Sequence, residues 1–220
     1  MSYGIHEGDR TAPIVLTVPG LNNSGPSHWQ SLWERSRSDT SRVELGMWAR
    51  PRRNPWVTKI DQAVRSAQAP IVLAAHSLGC IAVAWWAQLS GQPWGWPVTG
   101  ALLVAPADLN ARPLAAELAD FAPTPRIPLP FPSILVASED DPWITPDAAE
   151  DLATSWGSHF VNAGQLGHIN AASGVGWWDE GQELLDRVIQ AGRPGYSAGH
   201  ARTILAVSCT EAASAAYLAS

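Results

Sequence analysis

Apolar positions along the chain fall into short runs rich in Val, Ile, Leu and Ala, separated by longer stretches with helical periodicity. The runs are residues 14–18, 43–48, 71–75, 101–105, 134–138 and the less apolar 159–162. Several are apolar throughout, as expected of strands covered on both faces. Between them, residues 27–35, 56–67, 78–89, 146–156 and 178–190 read as helices, and Pro146 with Asp147 suits a helix start. This alternation predicts an α/β fold, a doubly wound and mainly parallel sheet.

Two stretches depart from the rhythm. Residues 106–132 contain Pro113, Pro123, Pro125, Pro128 and Pro130, and only 114–121 can make a short helix. That predicts an excursion off the sheet, placed to cover a site. After Gly192, Arg193-Pro194-Gly195 breaks the last helix and the composition turns to Ala, Ser and Thr. The expected organisation is one domain over residues 1–191, followed by a loosely attached tail over 192–220. Within the tail, the apolar run 203–207 suits an edge strand or a cover for an apolar patch.

Composition narrows the class. With 220 residues, 46% of them hydrophobic, the chain can bury a core. Fourteen basic residues, Lys59 the sole lysine, stand against 20 acidic ones for a net charge of -6. Neither nucleic acid nor an anionic membrane surface is an expected partner. Residues 1–10 carry Glu7 and Asp9 with no apolar core, and no apolar run approaches the roughly 20 residues of a membrane span, so a cytoplasmic location is expected. Cys80 and Cys209 are too few for a disulfide framework or a cysteine zinc site.

The strongest chemical signal is Ala75-His76-Ser77-Leu78-Gly79, between the apolar run 71–75 and the helical stretch from Leu78. Strand, sharp turn and helix are the setting of a nucleophile elbow, in which the residues two before and two after the serine must be small. Gly79 meets the need and Ala75 stands in for the usual glycine. The plainer alternative is a strand end turning into a helix. A serine hydroxyl is a weak nucleophile without a base, so a histidine and an acid should follow. His168 lies in a glycine-flanked loop, Gly164-Gln165-Leu166-Gly167-His168-Ile169-Asn170, after the last strand. The other histidines are terminal (His6, His200), begin a helix (His28) or a strand (His159), or act as the elbow's spacer (His76). Glu139, Asp140 and Asp141 follow the run 134–138 and compete for the acid, and the order serine, acid, histidine is that of α/β-hydrolases.

Oxyanion donors are expected from the N–H of Leu78 and, in the loop Pro19-Gly20-Leu21-Asn22-Asn23-Ser24-Gly25, from that of Leu21. Asn22, Trp29 and Trp143 flank these loops and are the candidates for a substrate pocket, although tryptophans are more often core. The same loop has the glycine and serine spacing of a phosphate-binding loop, but Pro26 occupies the lysine position. No metal-ligand spacing is present among the histidines.

Taken in order, Val18-Pro19-Gly20, Ser27-His28-Trp29-Gln30 with Trp33, the elbow around Ser77, Asp140-Asp141-Pro142-Trp143 and Gly167-His168-Ile169-Asn170 resemble the small serine hydrolases of the α/β-hydrolase superfamily, the YdeN-like and retinoblastoma-binding protein 9-like group. The likeness spans residues 12–190. It implies a hydrolase of esters or related acyl compounds with little lid, a Ser77, Asp141, His168 triad, an acyl substrate and no cofactor. It also implies an alternative, a protein-binding module on the same fold with a slow or vestigial site. Asp141 gains from Pro142, which restricts its backbone to the extended region, while the pleat turns Asp140 the other way.

Overall fold

A computed structural model describes residues 12–110, 113–193 and 195–206. Six parallel strands, β1 (Ile14–Val18), β2 (Thr40–Arg42), β3 (Ile71–His76), β4 (Val98–Val104), β5 (Ser133–Ala137) and β6 (His159–Asn162), form one sheet in the order β2-β1-β3-β4-β5-β6. The chain steps outward from β1 to β2, then returns to lay β3 on the other side of β1. Ligands of such sheets bind where the order reverses, beyond the carboxyl ends of the strands. Here that point lies between β1 and β3, where the loop of Gly20 and the turn of Ser77 emerge.

The sheet separates two apolar layers. On one face α2 (Arg53–Ser66), α3 (Leu78–Ser90) and α4 (Pro146–Trp156) bury Trp56, Ile60, Ile81 and Trp156 in one layer with Ile71, Leu73 and Ala75 of β3. On the other, α1 (Trp29–Ser36), α5 (Asp179–Ala191) and α6 (Ala198–Ala206) bury Trp29, Trp33, Leu185, Val188 and Leu205 in one layer with Val72 and Ala74. Alternate β3 residues thus serve opposite layers, which is why residues 71–75 are apolar throughout and the whole strand is buried.

Three local readings of the sequence change. The strand expected over 43–48 is the shorter Thr40–Arg42. Val43 and Leu45 stay buried and the Val43 N–H still bonds Thr17 O at 2.9 Å, but Gly46 (φ 67°) and Met47 (φ 51°) turn left-handed and end the extended run. Of the helix expected over 114–121, a single 3-10 turn at Ala119–Phe121 forms. Residues 203–206, read as an edge strand or a cover, are helical within α6, and Leu205 does cover an apolar layer. Val207, Cys209 and the rest of the tail lie outside the described residues, as do residues 1–11 with His6.

Candidate functional site

Ser77 sits between β3 and α3 with φ 55° and ψ −124°, a conformation that costs a side-chain-bearing residue energy and persists only where the surroundings enforce it. Gly79 is one enforcer. A Cβ there would lie 2.2 Å from Val18 O and 2.7 Å from Pro19 O, so only glycine lets the first turn of α3 press against the end of β1. Gly20 is the reciprocal case: its missing Cβ would meet Ser77 Cβ at 2.9 Å and Leu78 N at 3.2 Å. The loop after β1 therefore lies directly against the elbow, with Gly20 packed on Leu78 N and Leu21 the next residue of the loop; the Leu78 N–H, in the first turn of a helix, has no intrahelical acceptor.

That loop is braced from below. Asn22 N–H donates to Trp48 O (2.9 Å) and Asn23 N–H to Gly20 O (3.1 Å), with both asparagines left-handed at φ 63° and 64°. Arg42 donates to Asn23 Oδ1 (3.0 Å), Ser24 O (3.2 Å) and Ser31 Oγ (2.6 Å) while its guanidinium pairs with Glu34 at 2.8 Å. The phosphate-loop spacing is thus occupied by internal hydrogen bonds.

The loop after β6 brings His168 to the same place. Its Nε2 lies 3.0 Å from Ser77 Oγ, and its Nδ1 lies 2.9 Å from Asp141 Oδ2 and 3.0 Å from Oδ1. A carboxylate only accepts, so Nδ1 carries the proton and Nε2 presents a lone pair to the serine hydroxyl. The Asp141 side chain is fully buried, and the Trp143 N–H donates to its Oδ1 at 2.9 Å. Asp140 turns away and does different work, accepting from Ser138 Oγ and Gly167 N–H, both at 2.7 Å. Those two donors hold its carboxyl below the usual aspartate range. Glu139 accepts from Asn162 Nδ2 at the surface, 3.1 Å away.

A cleft of about 630 Å³ opens over Ser77 and His168, within the size range of small-molecule sites. Leu21, Asn22 and Trp143 line it, and the proline-rich excursion supplies a wall with Pro113, Leu114 and Leu118. The excursion was legible as a cover from its prolines; Leu114 and Leu118, four apart and apolar, were the available signal for the wall and were missed. Trp29 does not line the cleft. It is fully buried in the layer of Trp33 and Trp178, and its indole N–H donates to Ile169 O at 3.0 Å, so it supports the loop of His168 from behind. A second hollow of about 420 Å³, between β6 and α5, contains Trp178, Glu180 and Glu183 but no serine, cysteine or histidine. Burial pushes the Cys80 thiol far up, which removes it as a nucleophile. Among the described residues no group of three or more His, Cys, Asp or Glu is arranged to hold a metal, and no helix is long and apolar enough to cross a membrane.

The sequence of this chain matches the serine hydrolase family model over residues 15–187. The chain belongs to the serine hydrolase family. A protein of Pectobacterium atrosepticum described as a YdeN-like hydrolase is 31% identical, with a TM-score of 0.72 over 82% of this chain and 92% of that one. The ydeN gene product of B. subtilis shares the fold at 17% identity, TM-score 0.66, over 81% of this chain and 99% of its own. Est1E from Butyrivibrio proteoclasticus, solved with ferulic acid bound, shares it at 12% identity and a TM-score of 0.55, over 84% and 90% of the two chains. No functionally curated protein matches. For this serine hydrolase the fold is therefore that of the α/β-hydrolases.

Two further imidazoles lie behind His168. His76 stacks edge-on against it at 4.8 Å, and His28 edge-on against His76 at 4.7 Å. Burial first, then the charges of Arg42 and His168, push His28 down from 6.5 to about 4. Burial, then His28 and His168, hold His76 well below the usual histidine range. Above pH 6.5 both are neutral whether the chain is folded or unfolded, so neither penalises folding. Below it the unfolded chain binds protons that the folded chain refuses, and stability is lost down to about pH 4. For His28 this amounts to about 2–3 kcal/mol between about pH 7.5 and about pH 4.5. His28→Asn, which keeps an acceptor for the Gln30 N–H at the start of α1, should lose that much less over the same interval, as read from urea midpoints. Equal losses in both proteins would rule out His28 as the source.

Proposed function

We propose that this serine hydrolase cleaves an ester or related acyl compound through a covalent intermediate on Ser77, with His168 as base and Asp141 as its partner. The observation that carries the reading is the unbroken run of contacts from Ser77 Oγ to His168 Nε2 (3.0 Å) and from His168 Nδ1 to a buried carboxylate (2.9 Å). Ser77 Oγ attacks the substrate carbonyl while Nε2 takes the hydroxyl proton. Charge building on the carbonyl oxygen meets the N–H groups of Leu78 and Leu21, donors in place before the reaction begins. As the tetrahedral species collapses, His168 returns the proton to the leaving alcohol. Water then repeats the sequence and frees the acid. Asp141 keeps the Nδ1–H tautomer and stabilises the imidazolium formed in each half-reaction. Leu21, Leu114, Leu118 and Trp143 give the cleft an apolar wall that suits an acyl chain, while Asn22, Asp108 and Glu117 supply its polar part. No step calls for a cofactor, and the cytoplasm is the proposed setting.

A fluorophosphonate tests this directly, since it reacts quickly only with a hydroxyl activated by a base and facing oxyanion donors. Intact mass should show one adduct on the native chain and none on Ser77→Ala. A folded native chain that takes up no probe would favour the protein-binding module instead. Labelling that survives Ser77→Ala would move the nucleophile elsewhere.

A further inference from the structure

His76 is the residue immediately before Ser77, and its side chain reaches the opposite loop: Nε2 lies 2.9 Å from the main-chain oxygen of His168. A carbonyl oxygen only accepts, so Nε2 carries a proton and donates it. We propose that His76 is a positioning residue, whose Nε2–H holds the His168 carbonyl and thereby sets the His168 imidazole on the Ser77 hydroxyl. The inference rests on the reading of Ser77 and His168 as nucleophile and base.

The loop of His168 has reason to need such a tie. Ile169 is left-handed at φ 45°, a costly state for a β-branched residue, and Gly167 is left-handed at φ 54°. Two side-chain donors flank the strained residue: His76 holds the carbonyl of His168, and Trp29 Nε1 holds that of Ile169 at 3.0 Å. Two further bonds fix the approach to the loop, from Leu166 N–H to Ser138 Oγ (2.8 Å) and from Gly167 N–H to Asp140 Oδ1 (2.7 Å). Of these four ties only His76 belongs to the elbow itself. It is therefore the one that registers the base against the nucleophile rather than against the rest of the sheet.

The surroundings keep His76 neutral. It is buried, edge-on to His168 on one side and to His28 on the other. His28 accepts the Gln30 N–H through Nδ1 at 3.2 Å, so it too is a neutral ring protonated on Nε2, an atom that is buried and meets no acceptor among the described residues. Neutral neighbours matter because His168 becomes a cation during each proton transfer, and a permanent cation at His76 would oppose it.

The test compares variants that separate the donor from the bulk. His76→Leu keeps volume and loses the N–H; His76→Gln retains a donor at about the position of Nε2; His76→Asn retains an amide too short to reach the carbonyl. In folded protein, fluorophosphonate labelling of Ser77 and the kcat for a short acyl ester should both fall about 10²-fold in the Leu and Asn variants, with KM within about twofold of the native value. The Gln variant should recover to within about tenfold. Leu at the native rate, Gln as slow as Leu, or a change confined to KM would overturn the proposal. Should the Leu and Asn chains fail to fold, the native protein still decides it: an imidazole correlation spectrum must show His76 protonated at Nε2 and bare at Nδ1, and the opposite tautomer refutes the tie. Failure of the native chain to label at Ser77 would instead sink the reading on which this one rests.

Discussion

Ser77→Ala is expected to lower the kcat of ester hydrolysis by about 10⁶-fold, and adding His168→Ala to it should lower kcat by little more. The two side chains meet at 3.0 Å, and in the proposed mechanism they act on one proton, so removing either ends the same event. Without Ser77 Oγ there is no covalent intermediate for His168 to assist; without His168 the hydroxyl keeps its proton and stays a poor nucleophile. What should remain is a cleft in which the proposed oxyanion donors, the Leu78 and Leu21 N–H groups, still meet a carbonyl attacked by water, a residual of about 10³–10⁴ over the uncatalysed reaction. Single-turnover kinetics on the two single variants and the double variant measure the coupling. Losses that multiply would mean the two residues act independently, which a shared proton does not allow.

The parts of this site that were legible in the sequence are those where one backbone constraint forces one residue type. Only a residue without a Cβ fits at 79, where a methyl would lie 2.2 Å from Val18 O, so the elbow announced itself through Gly79 and the apolar run before it. The order of serine, acid and histidine followed from strand order in the same way. Legibility ended where burial depends on partners far along the chain. Trp29 and Trp143 both adjoin motif residues, yet Trp29 is sealed under Ile169, 140 positions away, while Trp143 is 57% exposed at the mouth of the cleft. Residues 43–48 carry a strand's alternation, with Val43 and Leu45 buried around an exposed Glu44, but sheet pairing stops at Arg42. His76 read as a spacer because its partner is a carbonyl oxygen, which leaves no mark in a sequence.

The acid offers the sharpest discrimination, because Asp140 and Asp141 are adjacent, identical in chemistry and differently employed. Asp141→Asn is expected to lower kcat by on the order of 10⁴-fold while the protein stays folded. The asparagine amide can donate to Nδ1, which moves the ring proton to Nε2, and an Nε2–H facing Ser77 Oγ cannot take the hydroxyl proton. The variant also loses the negative charge that stabilises the imidazolium. Asp140→Asn should cost less than about tenfold, since an amide oxygen can still accept from Ser138 Oγ and Gly167 N–H, the two bonds that Asp140 makes at 2.7 Å. Both variants keep the backbone before Pro142 extended, so the aim of residue 141 does not change. Steady-state rates on one ester, with far-ultraviolet dichroism to establish folding, decide the matter. The reverse pattern would transfer the role to Asp140, and two mild losses would show that His168 is oriented by its main-chain tie to His76 rather than by either carboxylate.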